Sequence, residues 1–434
     1  MAGDWPYVPL GTLTAEHDGA VAIGPFGSSM KADEYSSVGV PVIRGTNIGG
    51  SRELKGDWVF IPDTFADAMP RCVVRSGDLV FPHRGAIGEV ALVPGDRDRY
   101  FMSTSFMKAT LDLLKADPRF VMYYLKSDAG RAEIMRFASQ VGTPGIGQPL
   151  TSLRQFSVPT PPLAIQRAIA DLLWTLDDRI ELNRQMAATL EEMARALYKS
   201  WFVDFDPVRA KAQGSATGLP DVTSDLFPDK FGQDGMPEGW STTADSIGIN
   251  IRQKVLPTDV APDTTYVGLE HVEKRKLALE AFGRADDVDS QKTVFERGDL
   301  LFGKLRPYFH KVAVAPVNGI CSTDILVFRP QKGIPRTYLY LAFSADGFVA
   351  KASGAQEGTR MPRADWGYMR RQSMALPSAP VLSEFDNRVA PMIDRVLAVV
   401  AEIRTLTSLR DTLLPKLISG ELRIKDAEAS GVAA

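Results

Sequence analysis

Two long stretches of the chain carry apolar residues at helical spacing. From Leu163 to about Phe202 they step mostly by three or four, with no proline or glycine between, which predicts a long amphipathic helix with a coiled-coil-like stripe. From Phe385 to Leu406 the steps alternate between four and three, which predicts a strict heptad seam on a helix of residues 381–414. We expect the two stripes to pack antiparallel. The seam is assigned to Leu172, Leu176, Ile180, Leu190, Leu197, Val389, Val396, Ile403 and Leu406.

Asn183 falls on the first of these stripes. A single polar residue among apolar seam positions can set the register of helix pairing, at some cost in stability. A solvent-facing asparagine at a stutter in the pattern accounts for the same spacing. The sequence leaves both interpretations open.

Shorter apolar runs, separated by glycine and proline, precede each long stripe and indicate β-strands. The runs before the first stripe are Val40–Ile43, Trp58–Ile61, Leu79–Phe81, Val90–Val93 and Gln155–Pro159, with one predicted helix over Arg119–Arg136 and a loop over Gly142–Gly147. The runs before the second stripe are Thr265–Leu269, Leu300–Phe302 and Asp324–Phe328.

Several motifs occur twice, at an offset close to half the chain length. Val74–Phe81 contains an Arg-Ser-Gly-Asp-Leu sequence that returns within Phe295–Phe302 as Arg-Gly-Asp-Leu, and the Ser-Thr pair at Ser103 returns at Ser322. The Gly-Thr pair that begins at Gly142 also returns, at residue 358. A period this long exceeds that of solenoid repeats, about 20–50 residues, so it indicates duplication of a whole domain.

These patterns predict an α+β fold with two pseudo-repeated domains separated by two long antiparallel coiled-coil-like helices. The predicted segments are domain 1 (residues 1–160), a central helix (161–205), a linker (206–235), domain 2 (236–379), a C-terminal helix (380–425) and a tail (426–434). The linker assignment rests on the Pro, Gly, Ser and Asp content of that segment.

Composition narrows the class of protein. A chain of 434 residues with 44% hydrophobic and 24% charged residues is typical of a soluble protein of two or three domains. There is no apolar run near the roughly 20 residues that span a bilayer, and the first residues lack a signal-peptide pattern. Two cysteines are too few for a disulfide framework, so we expect a cytoplasmic protein without a membrane partner. The net charge of −3 disfavours indiscriminate nucleic-acid binding but permits locally basic faces.

A search for catalytic motifs predicts that the chain is not an enzyme. The four histidines are not at metal-ligand spacing, and neither a phosphate-binding loop nor a nucleophile elbow occurs. The run at Thr160–Leu163 lacks the amide and the aromatic residue of the amino-methyltransferase motif that it partly matches, and Glu53–Lys55 lacks the acidic pair of a nuclease. No metal site is expected.

Polar clusters on loops are the better candidates for function. Gly-rich backbone with hydroxyls and a cation suits phosphate oxygens, and Arg with Asn suits guanine and adenine edges. Several of these clusters lie at equivalent places in the two repeats, which favours DNA binding. The candidate DNA-binding residues are Ser28, Ser29, Lys31, Arg44, Thr46, Asn47, Arg84, Thr143, Arg252, Gln253, Lys254, Lys304, Arg306, Tyr308, Gln356, Thr359 and Arg360.

At these residues the chain resembles the specificity subunits of type I restriction-modification systems, over nearly its whole length. The matching phrases are Gly24–Lys31, Gly39–Ile48, Gly298–Tyr308, Cys321–Ile325, Pro161–Gln166, Leu176–Asn183, Leu197–Phe205 and Leu413–Leu422. Domain 2 departs from the pattern because Ile249–Lys254 replaces the Gly-Pro-Phe-Gly-Ser phrase of domain 1. The two domains are therefore expected to read different sequences.

The resemblance implies a non-catalytic subunit with two target recognition domains, each reading one half of a bipartite, asymmetric target in double-stranded DNA. The helices would set the spacer between the halves and dock two methyltransferase subunits through their seams. Two restriction subunits would join the full complex. The cofactors S-adenosylmethionine, ATP and Mg are implied for the partner subunits, with none in this chain.

Two other functions fit the residues less well. A solitary nuclease or methyltransferase with an unrecognised site would use the duplication for dimer-like DNA contacts, and binding of S-adenosylmethionine by the purified chain would favour it. A pure assembly scaffold would use the same loops for protein partners. Loss of DNA affinity on mutation of Arg44 or Lys304, with partner binding intact, would count against the scaffold.

Overall fold

The computed structural model describes residues 5–27, 30, 34–49, 52, 54–139, 145–354 and 362–424. The chain divides into two compact units, Met1–Asp178 with Thr407–Ala434, and Arg179–Leu406. Unit 1 contains domain 1 and unit 2 contains domain 2. Each unit also contains part of both long helices. Among the described residues, none of the helices combines the length and the hydrophobicity that a membrane span requires.

Unit 1 contains twelve described strands and the first helices. In chain order they are β1 Tyr7–Pro9, β2 Val21–Ile23, β3 Val40–Ile43, β4 Val59–Ile61, α1 Asp63–Ala68, β5 Val73–Val74, β6 Leu79–Pro82, β7 Ala91–Leu92, β8 Tyr100–Met102, β9 Phe106–Ala109, α2 Pro118–Lys126, α3 Asp128–Met135, β10 Ala138–Ser139, β11 Gly145–Ile146, α4 Pro149–Gln155 and β12 Ser157–Pro159. One sheet has the order β2-β9-β6-β7 and the other β4-β3-β8-β5, and β1 pairs with β12.

The remaining elements follow the first long helix, α5 Leu163–Phe202, whose end lies in unit 2. In chain order they are α6 Asp206–Ala212, α7 Asp221–Ser224, β13 Ser241–Thr243, β14 Gly248–Ile251, β15 Lys254–Val255, β16 Thr265–Val267, β17 Gly283–Arg284, β18 Lys292–Phe295, β19 Leu300–Gly303, β20 Val312–Val314, β21 Gly319–Cys321, β22 Ile325–Pro330, α8 Arg336–Ser344, α9 Asp346–Ser353, α10 Trp366–Met369, β23 Ser373–Ala375 and α11 Ala379–Ile418.

The predicted duplication is confirmed by the sheet topology. The order β14-β22-β19-β20 in domain 2 repeats β2-β9-β6-β7 in domain 1, and β17-β16-β21-β18-β15 repeats β4-β3-β8-β5 with one further strand. In both domains the second sheet contains one parallel pair, β3 with β8 and β16 with β21. The predicted α+β class is therefore confirmed.

The long helices run antiparallel in unit 2, and they also contact each other in unit 1. In unit 2, the Arg179 Nε lies 2.8 Å from the Glu402 Oε1, and the Phe202 and Phe385 rings lie 4.8 Å apart further along. In unit 1, the Arg410 Nη1 lies 2.7 Å from the Asp177 Oδ1. Along unit 2, the residue numbers of the contacts increase on α5 and decrease on α11, as the antiparallel prediction requires.

The seam is largely buried within this chain, which corrects its assignment as a surface for partner helices. Its fully buried members are Leu176, Ile180, Val389, Val396 and Ile403, whereas Leu172, Leu190, Leu197 and Leu406 are half-buried. Leu173, not Leu172, takes the buried position on its turn of the helix. Asn183 is 5% exposed, which excludes the solvent-facing interpretation.

Three predicted segments differ from the structure. The helix predicted over 119–136 is two helices, because Ser127 adopts extended backbone (φ −67, ψ 162) and its side chain caps α3 by accepting from the Gly130 N–H. Part of the predicted 142–147 loop is strand β11, while residues 141–144 lie outside the described residues. The predicted 206–235 linker is folded.

The folded state of residues 206–235 follows from their apolar side chains. Helices α6 and α7 lie within this segment, and Val208 and Phe227 are buried. The Phe227 ring meets that of Trp201 at 5.0 Å and that of Trp240 at 6.1 Å. The segment therefore belongs to the core of unit 2, although its Pro and Gly content is typical of linkers.

Candidate nucleic-acid interface

The repeated Gly-Asp motif forms a tight turn whose aspartate is buried. In each copy the glycine has φ of 86°, a left-handed conformation that favours glycine. Asp78 and Asp299 are buried, and each accepts a hydrogen bond from the backbone N–H three residues before it, at 3.0 and 2.8 Å. Asp299 also accepts two bonds from Arg329, and Asp78 lies 3.3 Å from the Lys108 Nζ. The motif repeats because it closes the same turn twice.

In domain 1, the predicted loops converge on the turn of residues 103–106. The Ser103 N–H donates to the Ile43 carbonyl at 3.1 Å, the Gly24 N–H to the Phe106 carbonyl at 2.8 Å, and the His83 N–H to a carbonyl of the same turn at 2.8 Å. Gly24 approaches the turn so closely that a Cβ would lie 2.0 Å from the Ser103 oxygen. The polar residues that follow β2, β3 and β6 therefore emerge at one end of the sheets.

The four described candidates of domain 1 differ in what they present. Thr46 and Arg84 are exposed. The Arg44 Nη2 donates to the Asp57 carbonyl at 3.1 Å. Asn47 is 3% exposed and its carboxamide is used internally: Oδ1 accepts from the Arg44 N–H, and Nδ2 donates to two carbonyls at 3.1 Å. Asn47 thus supports the loop backbone. Ser28, Ser29, Lys31 and Thr143 lie outside the described residues.

Domain 2 builds the same arrangement around residues 322–324. The Ser322 N–H donates to the Val267 carbonyl at 2.9 Å, and the Lys304 N–H to the Asp324 carbonyl at 2.7 Å. The Lys304 Nζ donates to the Thr323 carbonyl at 2.6 Å. In domain 1, the His83 Nε2 lies 3.1 Å from the carbonyl of the equivalent threonine, so His83 and Lys304 occupy matching positions.

The structure brings three predicted cations of domain 2 together and adds one that sequence reasoning missed. A pocket of about 400 Å³ is lined by Arg252, Lys254, Lys304 and Arg363. We call this the basic pocket. Its other lining residues are Asn250, Ile251, Thr293, Ile325, Leu326, Ala364, Asp365 and Trp366. Arg363 joins because it forms a β-bridge with Leu305, a contact between distant parts of the chain that no local motif signals.

The other described candidates of domain 2 are close in sequence to residues that line this pocket. Gln253 is exposed, and its carbonyl accepts from the Val294 N–H at 2.9 Å. Arg306 has a left-handed backbone, and its N–H donates to the Pro362 carbonyl at 2.9 Å. Tyr308 is 55% exposed and has the aromatic face that bases stack on. Gln356, Thr359 and Arg360 lie outside the described residues.

Burial changes the protonation of several groups near the loops. It lowers the pKa of His83, with a smaller contribution from Arg84, so the imidazole is held neutral. It also lowers the pKa of Lys304, and repulsion from Lys254 acts in the same direction. Burial raises the pKa of Cys321 to about 12, which disfavours its thiolate. In the described ranges, no group of three or more His, Cys, Asp and Glu residues could hold a metal ion.

A partly exposed apolar stripe lies on α5 in unit 2, next to the fully buried members of the seam, and it includes the half-buried seam residues Leu190 and Leu197. Leu182 and Met193 are 60% and 49% exposed. Met186, Leu190 and Leu197 are half-buried and continue the line at spacings of three and four residues, which places all five on one helix face. Exposed apolar residues in a continuous line are typical of a protein interface.

Comparisons with known proteins agree on one family. Residues 27–192 match the family model described as type I restriction modification DNA specificity domain. The chain is 26% identical over 402 residues to the type I restriction enzyme HindI specificity subunit of Haemophilus influenzae, covering 80% of this chain and 87% of that protein. It is 23% identical over 292 residues to the MjaIX specificity subunit of Methanocaldococcus jannaschii, covering 64% and 63%.

A solved structure shares the fold. The crystal structure of a type I restriction-modification system S subunit from M. genitalium superposes with a TM-score of 0.58 at 16% sequence identity. The alignment covers 95% of this chain and 96% of that one. At this identity the likeness supports the architecture, in which two α+β domains accompany two long helices.

Proposed function

The chain belongs to the family of type I restriction-modification DNA specificity subunits, and on that premise we propose that it selects the DNA target of a type I complex. Domain 1 reads one half of a bipartite target and domain 2 the other. The single observation that carries this proposal is the repeated placement of polar loops at the same end of two domains with the same topology.

The proposed target is asymmetric because the two loop clusters differ chemically. Where domain 2 has Lys304 and Arg363, domain 1 has the neutral His83 at the position of the lysine. A neutral imidazole and an ammonium select different acceptors on DNA. Two unlike clusters on one chain therefore suit two unlike half-sites.

The chain supplies no chemistry of its own in this proposal. We infer two methyltransferase subunits that use S-adenosylmethionine to methylate adenine N6, and two restriction subunits that use ATP and Mg. Both relatives are named as specificity subunits, so they give no support to a solitary DNA-modifying enzyme. The exposed stripe on α5, which includes Leu182 and Met193, is the proposed docking face for a methyltransferase helix.

Sequencing of adenine methylation tests the proposal directly. Cells that carry the neighbouring methyltransferase would be compared with and without this chain, by single-molecule sequencing. We expect a gapped, asymmetric motif that is methylated only when the chain is present. Methylation that does not depend on the chain would refute the proposal.

Charge substitution on the stripe tests the docking face. Leu182→Asp with Met193→Asp is expected to abolish co-purification of the methyltransferase, because a carboxylate cannot be buried unpaired at an apolar interface. Ala188→Asp is the matched control, since Ala188 is exposed on α5 but lies away from the stripe. Equal loss in both variants would contradict docking through this face.

A further inference from the structure

The basic pocket of domain 2 has an unbalanced positive charge. Its four cations share the pocket with one lining carboxylate, that of Asp365. A second carboxylate, Asp324 Oδ1, lies 3.8 Å from the Arg363 Nη2. Two carboxylates do not neutralise four cations, so the pocket attracts an anion.

The hydrogen bonds within the pocket leave this charge uncompensated. The Lys254 Nζ donates to the Thr293 Oγ1 at 2.8 Å, and the Lys304 Nζ to the Thr323 carbonyl at 2.6 Å. Both acceptors are neutral, and an ammonium has three donors. Arg252 has no hydrogen-bond or ion-pair partner among the described residues. Each group therefore has donors left for a ligand.

Repulsion among the cations destabilises the empty pocket. Burial lowers the pKa of Lys304, and the positive charges of Lys254 and Arg363 act in the same direction, while the Asp324 carboxylate opposes them. An anion between these groups would remove the repulsion and accept the free donors.

We propose that the basic pocket binds one phosphate of the DNA backbone beside the half-site read by domain 2. This inference rests on the proposed function. A phosphate protrudes from the duplex and enters a concave pocket, whereas base edges lie recessed in the grooves and are reached by protruding side chains. Lysine ammonium groups also suit phosphate oxygens as point charges.

Domain 1 differs from the basic pocket of domain 2 at two equivalent described positions. His83 takes the place of Lys304, and Gly145 takes the place of Arg363, because Gly145 bridges Arg84 as Arg363 bridges Leu305. The proposed phosphate contact therefore belongs to domain 2. It orients that domain on DNA without contributing to sequence choice.

The test measures DNA affinity against salt concentration for the assembled methyltransferase complex. Lys254→Gln with Lys304→Gln removes two positive charges while leaving amide groups that can donate to Thr293 and Thr323. One lost phosphate contact should reduce the slope of log K against log salt by about 1. Affinity at ~0.1 M salt should fall about tenfold, equally for DNA with and without the target motif.

A control variant removes a lysine charge at the end of strand β22 that lies away from the basic pocket. Lys332 is exposed and follows the C-terminal end of β22, whereas the pocket lies at its N-terminal end. An unchanged slope in Lys332→Gln supports phosphate binding in the basic pocket. A reduction equal to that of the double variant shows a diffuse charge effect and overturns the proposal. Thermal unfolding of each variant confirms that domain 2 stays folded.

Further outcomes separate this inference from the proposed function. A double variant that keeps the wild-type slope overturns the phosphate site. Affinity lost only for the target motif, with the slope unchanged, assigns the pocket to base reading and also overturns it. A wild-type complex that shows no preference for its methylated motif refutes the proposed function itself, whatever the variants do.

Discussion

Replacing Asp299 with alanine is expected to destabilise domain 2 without removing any contact to DNA. Asp299 is 2% exposed, and its side chain accepts two hydrogen bonds from Arg329, at 2.8 and 2.9 Å, and one from the Glu296 N–H at 2.8 Å. The alanine variant leaves the guanidinium without its paired acceptor and the turn without its cap.

The magnitude follows from burial. Removal of one partner of a fully buried ion pair costs about 3–5 kcal/mol. Arg329 is 37% exposed and lies 3.1 Å from the Glu296 carboxylate, so water and that second carboxylate recover part of the loss. Loss of the turn hydrogen bond adds about 1 kcal/mol. Together these effects give a destabilisation of about 3 kcal/mol.

Asp78→Ala in domain 1 provides the internal comparison. Lys108 is 7% exposed, and without Asp78 its ammonium keeps only the Val73 carbonyl, at 2.8 Å, among the bonds described for it. A buried lysine cannot be rehydrated as readily as Arg329, so Asp78→Ala should destabilise its domain more than Asp299→Ala. The double variant Asp78→Ala/Lys108→Met should recover most of the loss, because it removes the unpaired charge.

Hydrogen exchange monitored by mass spectrometry, together with thermal unfolding, measures both effects. Asp299→Ala should accelerate exchange in peptides of domain 2 and leave those of domain 1 unchanged. DNA affinity per folded molecule should be preserved. Loss of DNA binding with no change in exchange or unfolding temperature would show that the motif contacts DNA, which would refute the assignment of a structural turn.

Three further predictions concern buried polar groups. Asn183→Leu should stabilise the helix pair by about 1–3 kcal/mol, because the covered Nδ2 has no hydrogen-bond partner among the described residues; a lower unfolding temperature would contradict this. Burial raises the pKa of Glu191, whose carboxylate accepts twice from the Leu277 N–H at 3.0 Å. Glu191→Gln should therefore be tolerated, because an amide oxygen still accepts, whereas Glu191→Ala should lower the unfolding temperature. Burial lowers the pKa of His310 below its ordinary value of 6.5. The folded state thus binds its proton less readily than the unfolded state. The contribution of the neutral His310 imidazole to the free energy of unfolding should be complete above pH 6.5. It should be lost as the pH falls through the lowered pKa of His310. If another group causes the loss of stability at low pH, the unfolding temperatures of the wild type and of His310→Asn should depend on pH in the same way.

The long helices and the duplication were determined by the sequence itself. The stripes along α5 and α11 are readable because each helix keeps one face toward the same partner over many turns, so burial imposes a regular spacing. The repeat of the Gly-Asp turn is readable for a similar reason: a left-handed glycine and a capping carboxylate are local requirements, met within four residues.

The availability of polar residues for binding depends on long-range packing as well as on local sequence. Asn47 has the side chain of a base-reading residue, but its carboxamide hydrogen-bonds to the backbone of its own loop. Arg363 belongs to no local motif, yet it lines the basic pocket. Likewise, residues 206–235 have the composition of a linker, yet Phe227 is buried against Trp201 and Trp240. The groups next to Arg363 and Phe227 come from other parts of the chain, whereas the partners of Asn47 lie in its own loop. Local composition cannot encode such contacts, because the free energy of burial depends on what the fold places next to a side chain.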